Sequence, residues 1–396
     1  MKTNRLILAA VALVLTVAFA GCGKGSDNPN PDNSTGTVPD GWIPIRTAAE
    51  LDAVRDSLSG NYILMNDISL SDYSAGAGWA PIGDDTAPFT GEFDGDGHKV
   101  TGLTINRPGE NYVGLFGYIN GGSVSNLGVE IGAGGITGCA FVGGIAGCLW
   151  IVTITNCYST GDIYSRTDNI NLDVSSGGIA GNVGYGTITN CCSMGDVSSD
   201  AAGSSYSGGI VGNLNTKSSI TNCYSTGSIS AYSNGVPTSA SYSGGIAGVV
   251  SNNSSIAECY SAGNVSASAS AVFSYSYSGG IAGIVTSIAV TGCAAINPTI
   301  SATAAKDVNA AGRITVGAGS TISNNFALST MAITGDQSSS SNGVDKSLAD
   351  LKTQATYSDP VNGDGLGGLG WAFGNDDDHP WKMPAGGGYP ILYWQK

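Results

Sequence analysis

Five cysteines, Cys157, Cys191, Cys223, Cys259 and Cys293, follow one another at steps of 34, 32, 36 and 34 residues. Thiols at a regular interval raise metal, redox and disulfide chemistry. Neither C-x-x-C nor zinc-ligand spacing is present, which weakens the first two. Disulfides between neighbouring repeats would suit an oxidising envelope, although parallel Cβ vectors fit the S–S geometry badly. The plainer reading is a core ladder of small buried hydrophobes. Asp94-Gly95-Asp96-Gly97 and Asn375-Asp376-Asp377-Asp378 hold oxygen ligands of the kind calcium takes. The first stretch lacks the later ligands of an EF-hand loop, and Gly and Asp at this density equally mark turns. Asp94 and Asp96 are thus weak calcium candidates, and no cofactor is expected. His98 reads as a turn histidine rather than an acid–base group.

The tyrosines are the stronger functional signal. Tyr206, Tyr242 and Tyr277 each stand two residues before a Gly-Gly pair, and Tyr158, Tyr224 and Tyr260 each follow a cysteine of the ladder. In a repeating fold each set becomes an outward stripe among Ser, Asn and Gly. Side chains that join apolar area to a hydroxyl suit sugar or protein recognition. Ladder packing on a sheet surface is the competing explanation.

The elements that would position these residues come from the repeat. Gly-Gly-x-x-Gly begins at Gly143, Gly177, Gly208, Gly244 and Gly279, at steps of 34, 31, 36 and 35 residues. A period in this range means a stacked solenoid. Val124, Ile154, Ile188, Ile220, Ile256, Val290 and Ile322 form an apolar column. Two residues later come Asn126, Asn156, Asn190, Asn222, Glu258, Gly292 and Asn324, types (Glu258 apart) that tolerate a left-handed bend. A bend there would turn the cysteine column inward beside the isoleucines. The expectation is an all-β, right-handed parallel β-helix of seven or eight levels, roughly 35–40 Å long from the strand spacing.

Thr47 and Glu50 form a capping box, which predicts a short helix over Ala48–Leu58 closing the first end. Aromatics crowd the last stretch, from Trp371 to Trp394, and predict a hydrophobic lid on the last level. The variable segments before each Gly-Gly, such as Arg166–Val174 and Ser230–Ala240, place insertions along one side.

The formal net charge is −15 with a pI near 4.2, which argues against nucleic acid as a partner. Lys2, Arg5 and the apolar Leu6–Phe19 read as an export signal. Phe19-Ala20-Gly21-Cys22 resembles a bacterial lipobox, which implies cleavage before Cys22 and lipidation of its thiol. The expected organisation is a signal peptide at 1–21, a tether at 22–40, an N-terminal cap with the first levels at 41–110, the repeat body at 111–330 and a C-terminal cap at 331–396.

Gly114-Leu115-Phe116-Gly117, the repeated Gly-Gly units, Phe93-Asp94-Gly95-Asp96-Gly97-His98 and the Tyr389-Pro390-Ile391-Leu392 ending resemble the GLUG-motif family. The resemblance implies a secreted or lipidated bacterial surface protein; such modules also occur in adhesins and beside immunoglobulin-A-cleaving metallopeptidases. Those peptidases need H-E-x-x-H for zinc and a general base. The two histidines here, His98 and His379, are followed by Lys99 and Pro380, so that chemistry is not carried over. The resulting expectation is a non-catalytic, lipid-anchored envelope protein, placed at the outer membrane, that binds a host glycan or glycoprotein. A carbohydrate-active enzyme using scattered carboxylates and a structural subunit of a surface assembly are the alternatives.

Overall fold

A computed structural model describes residues 38–235, 238–305, 308–317, 320–359 and 367–395. The chain winds as a parallel β-solenoid. Each turn lays one short strand on each of three sheets and two on a fourth. The ten-stranded sheet carries the isoleucine column; a seven-stranded and an eight-stranded sheet flank the Gly-Gly corner. The fourth sheet has 16 strands, and Gly128–Gly138 pairs there with both Tyr158–Thr160 and Ile163–Thr167. Those strand numbers agree with the seven or eight levels expected from the repeat.

Register follows the sequence columns. Val124 pairs with Ile154, Ile154 with Ile188, Ile188 with Ile220, and so on to Val290 with Ile322. Asn126, Asn156, Asn190, Asn222, Glu258, Gly292 and Asn324 all have φ between +51° and +65°, the left-handed bend the residue types predict. The bend turns the next residue inward, so the cysteines lie in the same core as the isoleucines. Burial of these side chains, at about 25 cal/mol per Å² of apolar area, is the main stabilising term.

One corner is not apolar. The seven-stranded sheet packs on the second strand of the fourth sheet through buried serines. Ser176 Oγ donates to Ser198 O at 2.8 Å and Ser207 Oγ to Ser230 O at 2.6 Å, one turn after another. Small side chains let the two backbones approach, and the Ser176 and Ser207 hydroxyls each find a carbonyl. The second glycine faces a serine in the pairs at Gly144, Gly178, Gly209 and Gly245: a Cβ on Gly209 would lie 2.3 Å from Ser225 Oγ and 2.1 Å from Gly245 O.

At the first end Thr47 and Glu50 make the capping box, and Leu51 and Val54 enter the core. The helix is shorter than expected. It runs Ala48–Asp52 and tightens into a 3-10 turn, Ala53–Asp56, where Arg55 reaches out to Ala80 O and Pro81 O. The aromatic ending also departs from expectation. Residues 367–395 do not lid the last level. They fold back along the flank, carrying a three-stranded antiparallel sheet of Phe373–Asp376, His379–Lys382 and Ile391–Leu392. Trp371 Nε1 donates to Gly292 O, Trp381 Nε1 to Asn222 Oδ1, and Asn156 Nδ2 to Asp377 Oδ1. These contacts run from a late turn to an early one. The segment is a strap.

Candidate functional site

Cys157, Cys191, Cys223, Cys259 and Cys293 are free thiols with no exposed surface. Each Sγ sits against a carbonyl two residues before it, at 3.2 Å for Cys157, Cys191 and Cys223. Burial pushes the Cys157 and Cys259 thiols well above their ordinary range. The column fills the core. Asp94 Oδ1 accepts from the Asp96 amide and from Asn126 Nδ2, at 2.9 and 3.0 Å, as a turn carboxylate does. Among the described residues no group of three or more His, Cys, Asp or Glu is placed to hold a metal. Cys22 lies outside the described residues.

The Tyr158, Tyr224 and Tyr260 stripe needs correcting. Tyr224 and Tyr260 are each 2% exposed, under the strap. Their rings stack at 4.8 Å and 2°; Trp381 lies 5.9 Å from Tyr260, and Trp371 stacks on Trp381 at 4.5 Å. Tyr158 stacks on Trp394 at 6.1 Å. The stripe does face away from the core, as the repeat requires, but a second hydrophobic cluster built from the strap covers it. It is packing surface, not a binding face.

The Tyr206, Tyr242 and Tyr277 stripe is half-buried and uncovered by the strap. Tyr206 pairs in register with Tyr242 and Tyr242 with Tyr277, and both ring pairs stack at 5.2 Å. The rings hide one another's faces and leave edges and hydroxyls outward. Tyr277 is followed in register by Ala310, which ends the column of rings, and the Tyr275 ring lies beside it at 6.4 Å and 13°. Tyr206 donates its hydroxyl to Asp173 Oδ2 at 3.0 Å. Burial pushes the Tyr242 phenol up to about 12, so it stays a neutral donor at physiological pH.

A second wall meets this stripe. The outward residues of the eight-stranded sheet are Tyr118, Cys148, Asn182, Asn213, Val249 and Ile284, in register from turn to turn. Outward groups of the two sheets touch: the Tyr112 and Tyr118 rings lie 5.5 Å apart, and Ser175 Oγ donates to Gly181 O at 2.7 Å. Side chains that leave two sheets and still meet define a re-entrant corner. The third glycine of each unit makes it tight, since a Cβ on Gly212 would lie 2.8 Å from the Ser176 backbone. The result is a groove along the solenoid axis, with Tyr206, Tyr242 and Tyr277 on one side and Asn213, Val249 and Ile284 on the other. Asn215 Nδ2 donates to Asn182 Oδ1 at 3.1 Å, fixing the polar end of that wall. Sequence reasoning missed the second wall. Its signal is the constant seven-residue offset from each tyrosine to its partner, Tyr206 to Asn213, Tyr242 to Val249 and Tyr277 to Ile284.

Residues 203–230, one repeat unit, match the family model of the GLUG motif. A protein of Evansella cellulosilytica, provisionally described as a Gly-rich membrane protein, is 48% identical over 88 residues, 21% of this chain and 10% of that protein. Halomucin of Haloquadratum walsbyi is 37% identical over 93 residues, 21% of this chain and 1% of halomucin. The matches thus cover a tenth or less of these relatives. A crystal structure described as that of a candidate immunoglobulin A1 protease from Bacteroides ovatus superposes with a TM-score of 0.54 at 22% identity, over 91% of this chain and 95% of that one. That likeness is one of fold.

Proposed function

We propose that this chain is a non-catalytic binding protein of the cell envelope, presenting its groove to a glycan or protein ligand. The observation that carries the reading is the half-buried Tyr206–Tyr242–Tyr277 stack facing a wall of asparagine and aliphatic side chains. One element repeated along an axis contacts an extended ligand at several points, so weak contacts accumulate. Placement at the envelope is supported by the Evansella relative's description as a membrane protein. In this reading Cys22 carries a lipid that holds the chain at the outer membrane.

Two experiments test it. Cells lacking the chain are compared with cells making it, or making a Tyr206→Ala, Tyr242→Ala, Tyr277→Ala triple variant, for adhesion to mucin and epithelial surfaces. Adhesion falls in the first and third strains; equal adhesion in all three sinks the binding role. Separately, palmitate labelling is lost in Cys22→Ser, and the chain moves from the membrane fraction to the soluble one. Retained labelling removes the anchor from the reading.

A further inference from the structure

The groove is unusual in what it lacks. From Ala201 to Ala305 the sequence contains only two charged residues, Lys217 and Glu258. Neither belongs to the groove. Lys217 is exposed at the turn that leads into the isoleucine sheet, and Glu258 sits at the left-handed bend leaving it. Three successive turns therefore present tyrosine, asparagine and aliphatic side chains with no formal charge, in a molecule of net charge −15. Asp173 stands at the early end of this face, where it accepts from the Tyr206 hydroxyl and, at 2.8 Å, from the Ser204 amide.

We infer that the groove from Tyr206 to Tyr277 takes a linear, uncharged glycan. This rests on the binding role proposed above and names its ligand class. Sialylated or sulfated chains need cations to offset their desolvation, and this wall offers none while the whole molecule repels them. Protein interfaces concentrate their energy in a few central anchors within a polar rim. Here the same contact instead recurs once per turn, at the 5.2 Å ring spacing. A ligand that itself repeats along its length matches such a surface. Each pyranose shows hydroxyls at its edge and C–H groups on its faces. The tyrosine hydroxyls and Asn213 suit the former; Val249 and Ile284 suit the latter.

The test uses the full chain in detergent against immobilised neutral, sialylated and sulfated glycans of matched backbone. Neutral glycans bind, with affinity changing less than about threefold from low to high salt because no ion pairs are made. Tyr277→Ala, at the late end of the column, and Asn213→Ala each weaken binding about tenfold. Tyr232→Ala, a tyrosine on another sheet, leaves it unchanged. Circular dichroism confirms that each variant is folded. Preference for charged glycans, strong salt dependence, or binding only to deglycosylated protein overturns the ligand class while leaving the binding role standing. Silence toward every glycan and protein, with unchanged cell adhesion, overturns both.

Discussion

Glu258 is the one charged residue in the column of left-handed bends, at φ +52° where the neighbouring turns carry asparagine or glycine. Burial raises its carboxyl above the ordinary value. The sign follows directly. Below the unfolded-state pKa of about 4.5 the group is neutral in both states and costs nothing; as pH rises through the raised folded value, the folded state loses stability relative to the unfolded one. Glu258→Asn relieves both faults. The left-handed backbone alone accounts for a gain of roughly 1 kcal/mol, and the gain is larger at pH 7 than at pH 4. Urea unfolding at the two pH values checks this; an equal or negative change at pH 7 contradicts it. The bend column itself was readable from residue type, because Asn and Gly tolerate positive φ and few others do. Glu258 was visible as an exception but not explicable, since its cost depends on what covers it.

Among elements, the Gly-Gly corner and the strap make opposite demands on side-chain size. Gly209→Ala places a methyl 2.1 Å from Gly245 O, and neither that carbonyl nor the Ser225 strand can retreat without breaking the ladder. It should cost about 1–3 kcal/mol or more. Gly386→Ala, with nothing within 4 Å of its added carbon, should be neutral. Thermal melts of the two variants separate close packing from a generic glycine effect. The strap instead depends on bulk. Trp381 is fully buried against Trp371, Tyr224 and Tyr260. Trp381→Ala removes about 3–5 kcal/mol of docking, so hydrogen exchange should rise in residues 367–395 and around Tyr224 and Tyr260 while the isoleucine sheet stays protected. Uniform protection after the substitution would show that the strap does not depend on this anchor. Here sequence reading reached its limit. The repeat correctly turned Tyr224 and Tyr260 away from the core. What packs on them lies more than a hundred residues later, outside any period, so only the structure separates the covered stripe from the open one. The groove was half legible for a related reason: its tyrosines stand out, but Asn213 and Val249 gain meaning only when two sheets meet at a concave corner.

At the scale of the whole molecule, a solenoid whose turns touch only their neighbours frays from its ends and unfolds in steps. The strap adds contacts from Gly292 back to Asn156, which no nearest-neighbour scheme contains. Intact chain should therefore unfold in one sharp transition, and chain truncated before residue 367 in a broader one with a smaller denaturant slope. Coincident curves for the two would show that the strap does not couple the turns. The same feature orders events in time. Residues 367–395 are made after the turns they cross, and their docking surface exists only once the turns carrying Asn156, Asn222 and Gly292 have stacked. A chain cut short, or with a misregistered turn, would leave Tyr224 and Tyr260 bare to chaperones and proteases. Docking of the strap thus requires those turns to be correctly stacked first, so a docked strap marks a solenoid in register.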